Sequence, residues 1–319
     1  MIKKDHTIPS KKEVQDARER VRPHVYNTPV ITSRLLDELT GASIYFKCEN
    51  FQKMGAFKMR GAINAILQLD AKDRARGVVT HSSGNFAQAL SLASNNLGVN
   101  AYIVMPSNAP AVKKDAVAGY KGIISESEPT LKAREEAANQ IVKKTKGIFL
   151  HPSNNTNVIL GQGTAAVELL EEVPDLSSVF VPVGGGGLIA GTAMAAHYFG
   201  KNCKTIGSEP MQVDDAYRSM QSGFIETNET ATTIADGLRT NLGDKNFPII
   251  QKYVNEIIRV EEEEIVAAMK LLWERLKIVI EPSSAVPFAA LLKEKSRFKG
   301  EKIGIILSGG NVDLSTLAF

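Results

Sequence analysis

Lys58 stands in the run ENFQKMGAFKMRGA (residues 49–62), beside Phe57 and between Gly55 and Gly61. A solvated surface lysine needs neither an aromatic neighbour nor bare backbone on both sides. An amine that must approach another molecule closely uses both. The chemistry open to it is Schiff-base formation with a carbonyl, for which the amine must be neutral; nearby cations such as Lys53 or Arg60 favour that form. An ordinary solvated helix lysine is the alternative, and spacing alone leaves it open.

Three further clusters carry hydrogen-bonding groups or uncovered backbone. VVTH runs into Ser82-Ser83-Gly84-Asn85, VFVPV into Gly184-Gly185-Gly186-Gly187, and IGIIL into Ser308-Gly309-Gly310-Asn311. Each alone reads as a tight turn. Together, at the ends of apolar runs, they mark a pocket, because ligands of open parallel sheets bind beyond the carboxyl ends of the strands. Four successive glycines leave their N–H groups unshielded. A helix beginning near Leu188 points its positive end at the same place, a combination that binds phosphate. A phosphate-bearing aldehyde, pyridoxal phosphate, would occupy the lysine and the glycines at once. A second reading starts from Gly185-x-Gly187-x-x-Ala190, which fits a dinucleotide fingerprint, with Glu209 ending the next strand as the ribose acid. That reading gives a nicotinamide-dependent oxidoreductase, but leaves Lys58 and the other two clusters without a task. A third is a phosphate-ligand-binding protein without catalysis.

The elements that must position these residues follow from periodicity. Ser10 and Glu13 make a capping box ahead of Val14, Ala17 and Val21 at helical spacing, and Pro23 ends that helix. Apolar runs at 43–49, 77–81, 101–106, 122–126, 148–152, 179–183, 205–209 and 303–308 read as buried strands. Helical patterns at 109–119, 130–145, 162–172, 187–199 and 261–277 lie between most of them. The alternation predicts an α/β fold built mainly on parallel sheet. With no Pro/Gly-rich linker, a second domain is expected to be inserted in the first, around the strands from 77 to 152. The chain has 319 residues, 43% apolar and 23% charged, and 38 basic residues nearly balance 35 acidic ones without clustering. No nucleic-acid partner is expected from that pattern. No apolar run approaches the roughly 20 residues of a membrane helix, and the basic start lacks the apolar stretch of a secretory leader. Two cysteines, Cys48 and Cys203, make neither a disulfide framework nor a metal site. A soluble, cytoplasmic protein without a membrane partner is the expectation.

The stretch KCENFQKMGAFKMRGA closely resembles the cofactor-lysine motif of the serine racemase and serine/threonine dehydratase family, pyridoxal-phosphate enzymes of the tryptophan-synthase-β fold type. THSSGN, GQGTAAVELLEEV, VPVGGGGLIAG, SEPMQVDDAY, TIADGL, WERLKIVIEPSSAV and IILSGGNVDL resemble further blocks of that family, in its order, over nearly the whole chain. The resemblance implies two open, mainly parallel twisted sheets flanked by helices. A large cofactor-binding domain (1–70 and 154–319) would hold an inserted small α/β substrate-binding domain (71–153), with the active site in the cleft between them. A homodimer is implied as well.

By the same resemblance Lys58 forms the Schiff base and moves the α-proton, Gly184, Gly185, Gly186 and Gly187 cradle the phosphate, and Phe57 packs near the ring. Asn85 partners the phenolic oxygen and Ser308 the pyridine nitrogen. Ser82, Ser83 and Asn85 hold the substrate carboxylate, and Ser83 is the second acid/base on the face opposite the lysine. A base on each face permits inversion, so serine racemisation stands beside α,β-elimination of serine and threonine to keto acid and ammonia. Arg134 matches an arginine that reaches a second substrate carboxylate, which brings in the alternative of a 3-hydroxyaspartate ammonia-lyase. Glu209 and Asp215, with the Val213 carbonyl between them, match ligands of a divalent cation, Mg2+ or Ca2+. Two features depart from the pattern. Phe86 replaces the usual histidine after the SSGN motif, and the chain ends at Phe319, so isoleucine control through a regulatory domain is not expected.

Overall fold

The computed structural model describes residues 8–314. Its strands are β1 (Val30–Ile31), β2 (Ser43–Cys48), β3 (Val78–His81), β4 (Ala101–Pro106), β5 (Ile123–Ser127), β6 (Ile148–Phe149), β7 (Ser178–Pro182), β8 (Lys204–Pro210), β9 (Glu256–Val260) and β10 (Lys302–Leu307). One sheet has the order β1-β2-β10-β7-β8-β9, the other β5-β4-β3-β6. Among the described strands only β1 against β2 pairs antiparallel. The strands with both faces covered by helices are near-continuous apolar runs, such as the wholly buried VVTH of β3 and SVFVP of β7.

Most elements fall where periodicity predicts them. The first helix, Lys11–Val21, opens on a capping box in which Ser10 N donates to Glu13 Oε2 at 2.8 Å and Glu13 N donates to Ser10 Oγ at 3.4 Å. The helix predicted from 162 starts at Thr156, because the Asn155 side chain accepts from the amides of Asn157 and Val158 at 3.0 and 3.1 Å and caps it there. The run at 148–152 keeps only two residues as strand: His151 accepts backbone hydrogen bonds beyond it, and Pro152 has no N–H for a ladder. Periodicity missed β1, which is two residues long, and β9, whose EIIRV pattern carries charge at both ends of its apolar pair.

Three helices, Lys58–Leu67, Thr156–Glu172 and Gly187–Phe199, stack closely enough to bring backbone near backbone at their glycines. A Cβ on Gly161 would lie 2.5 Å from the Arg60 carbonyl oxygen, and one on Gly163 would lie 2.6 Å from the Gly191 carbonyl oxygen. A Cβ on Gly61 would lie 2.8 Å from the Val158 carbonyl oxygen. Gly61 therefore serves helix packing, not the close approach of a ligand to Lys58.

Arg60 also departs from expectation. It is fully buried, with Nε on Glu49 at 2.7 Å and Nη1 and Nη2 on Glu168 at 2.8 and 2.7 Å. Lys47, likewise fully buried, reaches Glu168 at 2.8 Å. Arg60 is thus an anchor on the far side of its helix and no free cation beside Lys58. Among the described residues no helix is long and apolar enough to cross a membrane.

Candidate active site

Parallel pairing puts the carboxyl ends of β2, β10, β7 and β8 on one edge of the large sheet. Ser308 follows β10 and Gly184 follows β7, so neighbouring strands deliver both. The loop before Lys58 is sewn to the end of β10. Phe57 N donates to the Ser308 carbonyl at 3.0 Å, Gly310 N donates to the Gly55 carbonyl at 2.9 Å, and Ala56 bridges Gly309. Gly55 takes φ +76°, where a side chain is strained, and Met54 before it is also left-handed at φ 57°. This tight double turn throws Lys58 out as the first residue of its helix.

The Lys58 amine donates to the Pro152 carbonyl at 3.1 Å and lies 4.9 Å from the Phe57 ring centroid and 5.9 Å from that of Phe86. Burial pulls its pKa down to about 8, against the opposing charge of Glu281. Desolvation, not Lys53 or Arg60, lowers it. Lys53 is directed elsewhere, donating to the His24 carbonyl at 2.8 Å. Phe86 occupies its departure position as a buried apolar wall.

The glycine loop is pressed by its neighbours. A Cβ on Gly184 would lie 2.8 Å from Leu238 Cα, one on Gly187 3.0 Å from Ser153 Cα, and Gly186 takes φ +77°. At Gly185 a Cβ would meet the Ser153 hydroxyl and lie 2.9 Å from Thr240 Oγ1. Ala190 N makes the first internal bond of the following helix, to Gly186 O at 3.1 Å. The amides of Gly187, Leu188 and Ile189 therefore lack intrahelical acceptors and stand at the positive end of the helix. Uncovered amides, a positive helix end and a desolvated amine fit a phosphate-bearing aldehyde. Ser153 and Thr240 flank the loop, and sequence reading missed both because nothing in their spacing ties them to it.

From the small sheet, β3 ends at His81 and is followed by half-buried Ser82, Ser83, Gly84 and Asn85. Ser82 Oγ accepts from Gly84 N at 3.4 Å, and the space beside Gly84 is open. Asn85 begins a helix and crosses to the other sheet: its Oδ1 accepts from Asn311 Nδ2 at 2.9 Å, and its Nδ2 donates to both oxygens of Glu281, at 3.1 and 3.0 Å. Glu281 is only 4% exposed, and burial pushes its carboxyl up to about 7. It lay unnoticed within the EPSSA motif. Ser284 was missed likewise; its Oγ lies 3.1 Å from Ser308 Oγ.

Arg134 stays on its own helix, with Nε donating to the Thr130 carbonyl at 3.4 Å, though its charge is felt by His81 next to Ser82. Glu209 lies near the end of β8, Val213 and Asp215 just beyond it, and all three are fully buried. Glu209 accepts from the amides of Ala216 and Tyr217 at 3.1 and 2.9 Å; Asp215 accepts from Asn228 Nδ2 at 2.6 Å and from Leu242 N at 3.1 Å. With both oxygens held by backbone, Glu209 is not presented to a ribose, which removes the nicotinamide reading. Burial and the neighbouring Asp215 push Glu209 well above the usual carboxylate range, and burial pushes Asp215 up to about 6. Among the described residues no group of three or more His, Cys, Asp or Glu side chains gathers as a metal site.

Residues 21–309 match the family described as "Pyridoxal-phosphate dependent enzyme". The chain is 48% identical over 310 residues to a beta-hydroxyaspartate dehydratase of Paracoccus denitrificans, covering 97% of this chain and 98% of that one. It is 48% identical over 311 residues to a serine racemase of Dictyostelium discoideum, covering 96% of each. The crystal structure of the Dictyostelium serine racemase superposes with a TM-score of 0.93, covering 97% of this chain and 100% of that one. The chain belongs to the pyridoxal-phosphate dependent enzyme family.

Proposed function

We propose that this enzyme is an ammonia-lyase for small β-hydroxy amino acids that also racemises serine. The observation that carries the reading is the desolvated Lys58 amine, sewn by its loop to Ser308, with the SSGN segment supplied from the other sheet. Relatives named as a serine racemase and a beta-hydroxyaspartate dehydratase support the same chemistry.

Pyridoxal phosphate supplies an aldehyde for the lysine and a ring that withdraws electrons from the substrate α-carbon. The chain does the rest. Lys58 holds the cofactor and moves the α-proton on one face. The amides of Gly184 to Gly187 and the helix behind them hold the phosphate. Phe57 would pack beside the ring, Ser308 would offer its hydroxyl to the ring nitrogen, and Asn85, whose amide donates to Glu281 in this structure, would turn it to the ring oxygen. The backbone and hydroxyls of Ser82, Ser83 and Asn85 hold the substrate carboxylate, and the Ser83 hydroxyl moves a proton on the opposite face. Phe57 and Phe86 keep water from the amine.

A 3-hydroxyaspartate substrate is the second reading, favoured by the 48% identity to the dehydratase and by the charge of Arg134 next to the SSGN segment. The four-stranded sheet supports a substrate-binding unit spanning 71–153 within a cofactor-binding unit of 1–70 and 154–319. Glu209, the Val213 carbonyl and Asp215 would hold Mg2+ or Ca2+, whose charge would stabilise two buried carboxylates that otherwise repel. Tyr26, Phe51 and Val279 are exposed at 57, 46 and 48% and flank the turn before Lys58; they fit a homodimer contact. The reading places the enzyme in the cytoplasm.

The test is an end-product assay on L-serine, D-serine, L-threonine and 3-hydroxyaspartate, scoring keto acid and chirality together. Keto acid from at least one of them and interconversion of the serine enantiomers are expected. No product from any of the four would overturn the reading.

A further inference from the structure

Glu281 precedes the helix Pro282–Lys293 at its N-cap, yet its side chain makes no cap hydrogen bond. It turns instead to Asn85, which comes from the other sheet. The orientation of Asn85 is set from behind. Its Oδ1 accepts from Asn311 Nδ2, which also donates to the Met54 carbonyl at 2.8 Å. Asn85 therefore presents its NH2 group, with two hydrogens, toward Glu281. Room for the carboxyl is made by glycine, since a Cβ on Gly309 would lie 2.9 Å from Glu281 Oε1. An ionised carboxylate is a strong acceptor and holds that amide; a protonated carboxyl is a weaker one.

The charged groups facing Glu281 come from three elements. Asp236 raises its pKa and Lys113 lowers it, as do the bonds from Asn85 and from the Asn311 backbone. Lys58, on the third element, is itself made more basic by the Glu281 charge. Lys113 and Asp236 pair with each other at 2.7 Å and largely cancel. Burial remains the largest influence, so the carboxyl changes charge close to neutral pH.

The geometry points to Glu281 as a positioning residue that acts through Asn85, holding its amide when ionised and releasing it toward the ring oxygen of the bound cofactor when protonated. The inference rests on the reading above, in which Asn85 faces that oxygen. With the amide released, a negative charge on the oxygen is stabilised. With Glu281 ionised, the oxygen loses that donor, so the charged form is disfavoured. On ionisation the Glu281 proton passes to solvent, and the proton that neutralises the ring oxygen moves across from the adjoining Schiff-base nitrogen, so nothing else is exchanged.

The test uses the enzyme loaded with pyridoxal phosphate and titrated across neutral pH while its visible absorption is followed. The charged ring oxygen contributes the long-wavelength band. In the native enzyme that band should fall as pH rises, with a midpoint near the carboxyl value of about 7. In Glu281→Gln, which mimics the protonated acid, the transition should vanish and the band stay high. In Asn85→Ala, where Glu281 still titrates, the band should no longer follow it; this variant decides the matter if Glu281→Gln does not fold. The same transition in all three proteins would overturn the proposal, as would a flat native titration. Borohydride reduction and peptide mapping separate the two levels: a label on Lys58 with a flat titration sinks this proposal alone, and no label on Lys58 sinks the parent reading with it.

Discussion

The Lys58 amine donates a hydrogen bond to the Pro152 carbonyl, 3.1 Å away, from a residue 94 positions further along the chain. The contact ties the lysine to the segment that runs on through Ser153 to the glycine loop. It also holds an amine whose pKa burial has brought down to about 8.

Attachment of pyridoxal phosphate to the cofactor-free chain should therefore quicken as pH rises, half-maximal near 8, because only the neutral amine attacks. Stopped-flow absorbance would measure it. Lys58→Ala should show no attachment and no keto-acid release; appreciable release by that variant would contradict the scheme.

Ser83→Ala should separate the two activities. With a proton-moving group left on one face only, racemisation of serine should fall by about two orders of magnitude or more, while elimination continues. Chiral analysis of serine and a keto-acid assay on the same sample would show it. Unchanged D-serine formation would remove Ser83 from the mechanism.

The Glu209–Asp215 pair predicts a stability profile. Asp215 is raised from 3.8 to about 6, so the folded chain keeps its proton longer than the unfolded one does. Stability should accordingly fall as pH rises from about 4 to 6, by about 3 kcal/mol from this group alone. Mg2+ or Ca2+ at pH 8 should restore it and raise Tm; Asp215→Asn should remove both the fall and the cation effect. Thermal melts with and without chelator would decide, and a Tm indifferent to cation would argue against the site.

The buried ion network predicts a structural cost. Arg60→Ala leaves Glu49 and Glu168 facing each other without their shared guanidinium. The loss should be about 3–5 kcal/mol, read as a lowered denaturation midpoint. A midpoint equal to that of the native chain would show the network to be neutral.

Local pattern carried much of the fold. The Ser10–Glu13 box, the apolar runs of the eight expected strands and the helical patterns at 109–119, 130–145, 162–172, 187–199 and 261–277 are recorded in adjacent residues and were legible; helices such as Asn85–Asn96 and Pro282–Lys293 were not read. What escaped depends on distant ones. Glu281 looks like a surface acid between an apolar run and a proline; its burial comes from Asn85 and Gly309, far along the chain. Gly61 looked like clearance for a ligand, and only the crossing of the helix Thr156–Glu172 shows that it gives clearance to another backbone. Arg60, near Lys58 in sequence, points away from it into the buried ion network, a direction that one-dimensional spacing does not give.

The contacts at Gly61, Gly161, Gly163 and Gly191 fix how far Lys58 stands from the Gly184–Gly187 turn. At Gly161, Gly163 and Gly191 main chain meets main chain, so no rotamer can flex to absorb an error. A single methyl group at any of these three positions would push one helix off the next and so change the span between the amine and the turn.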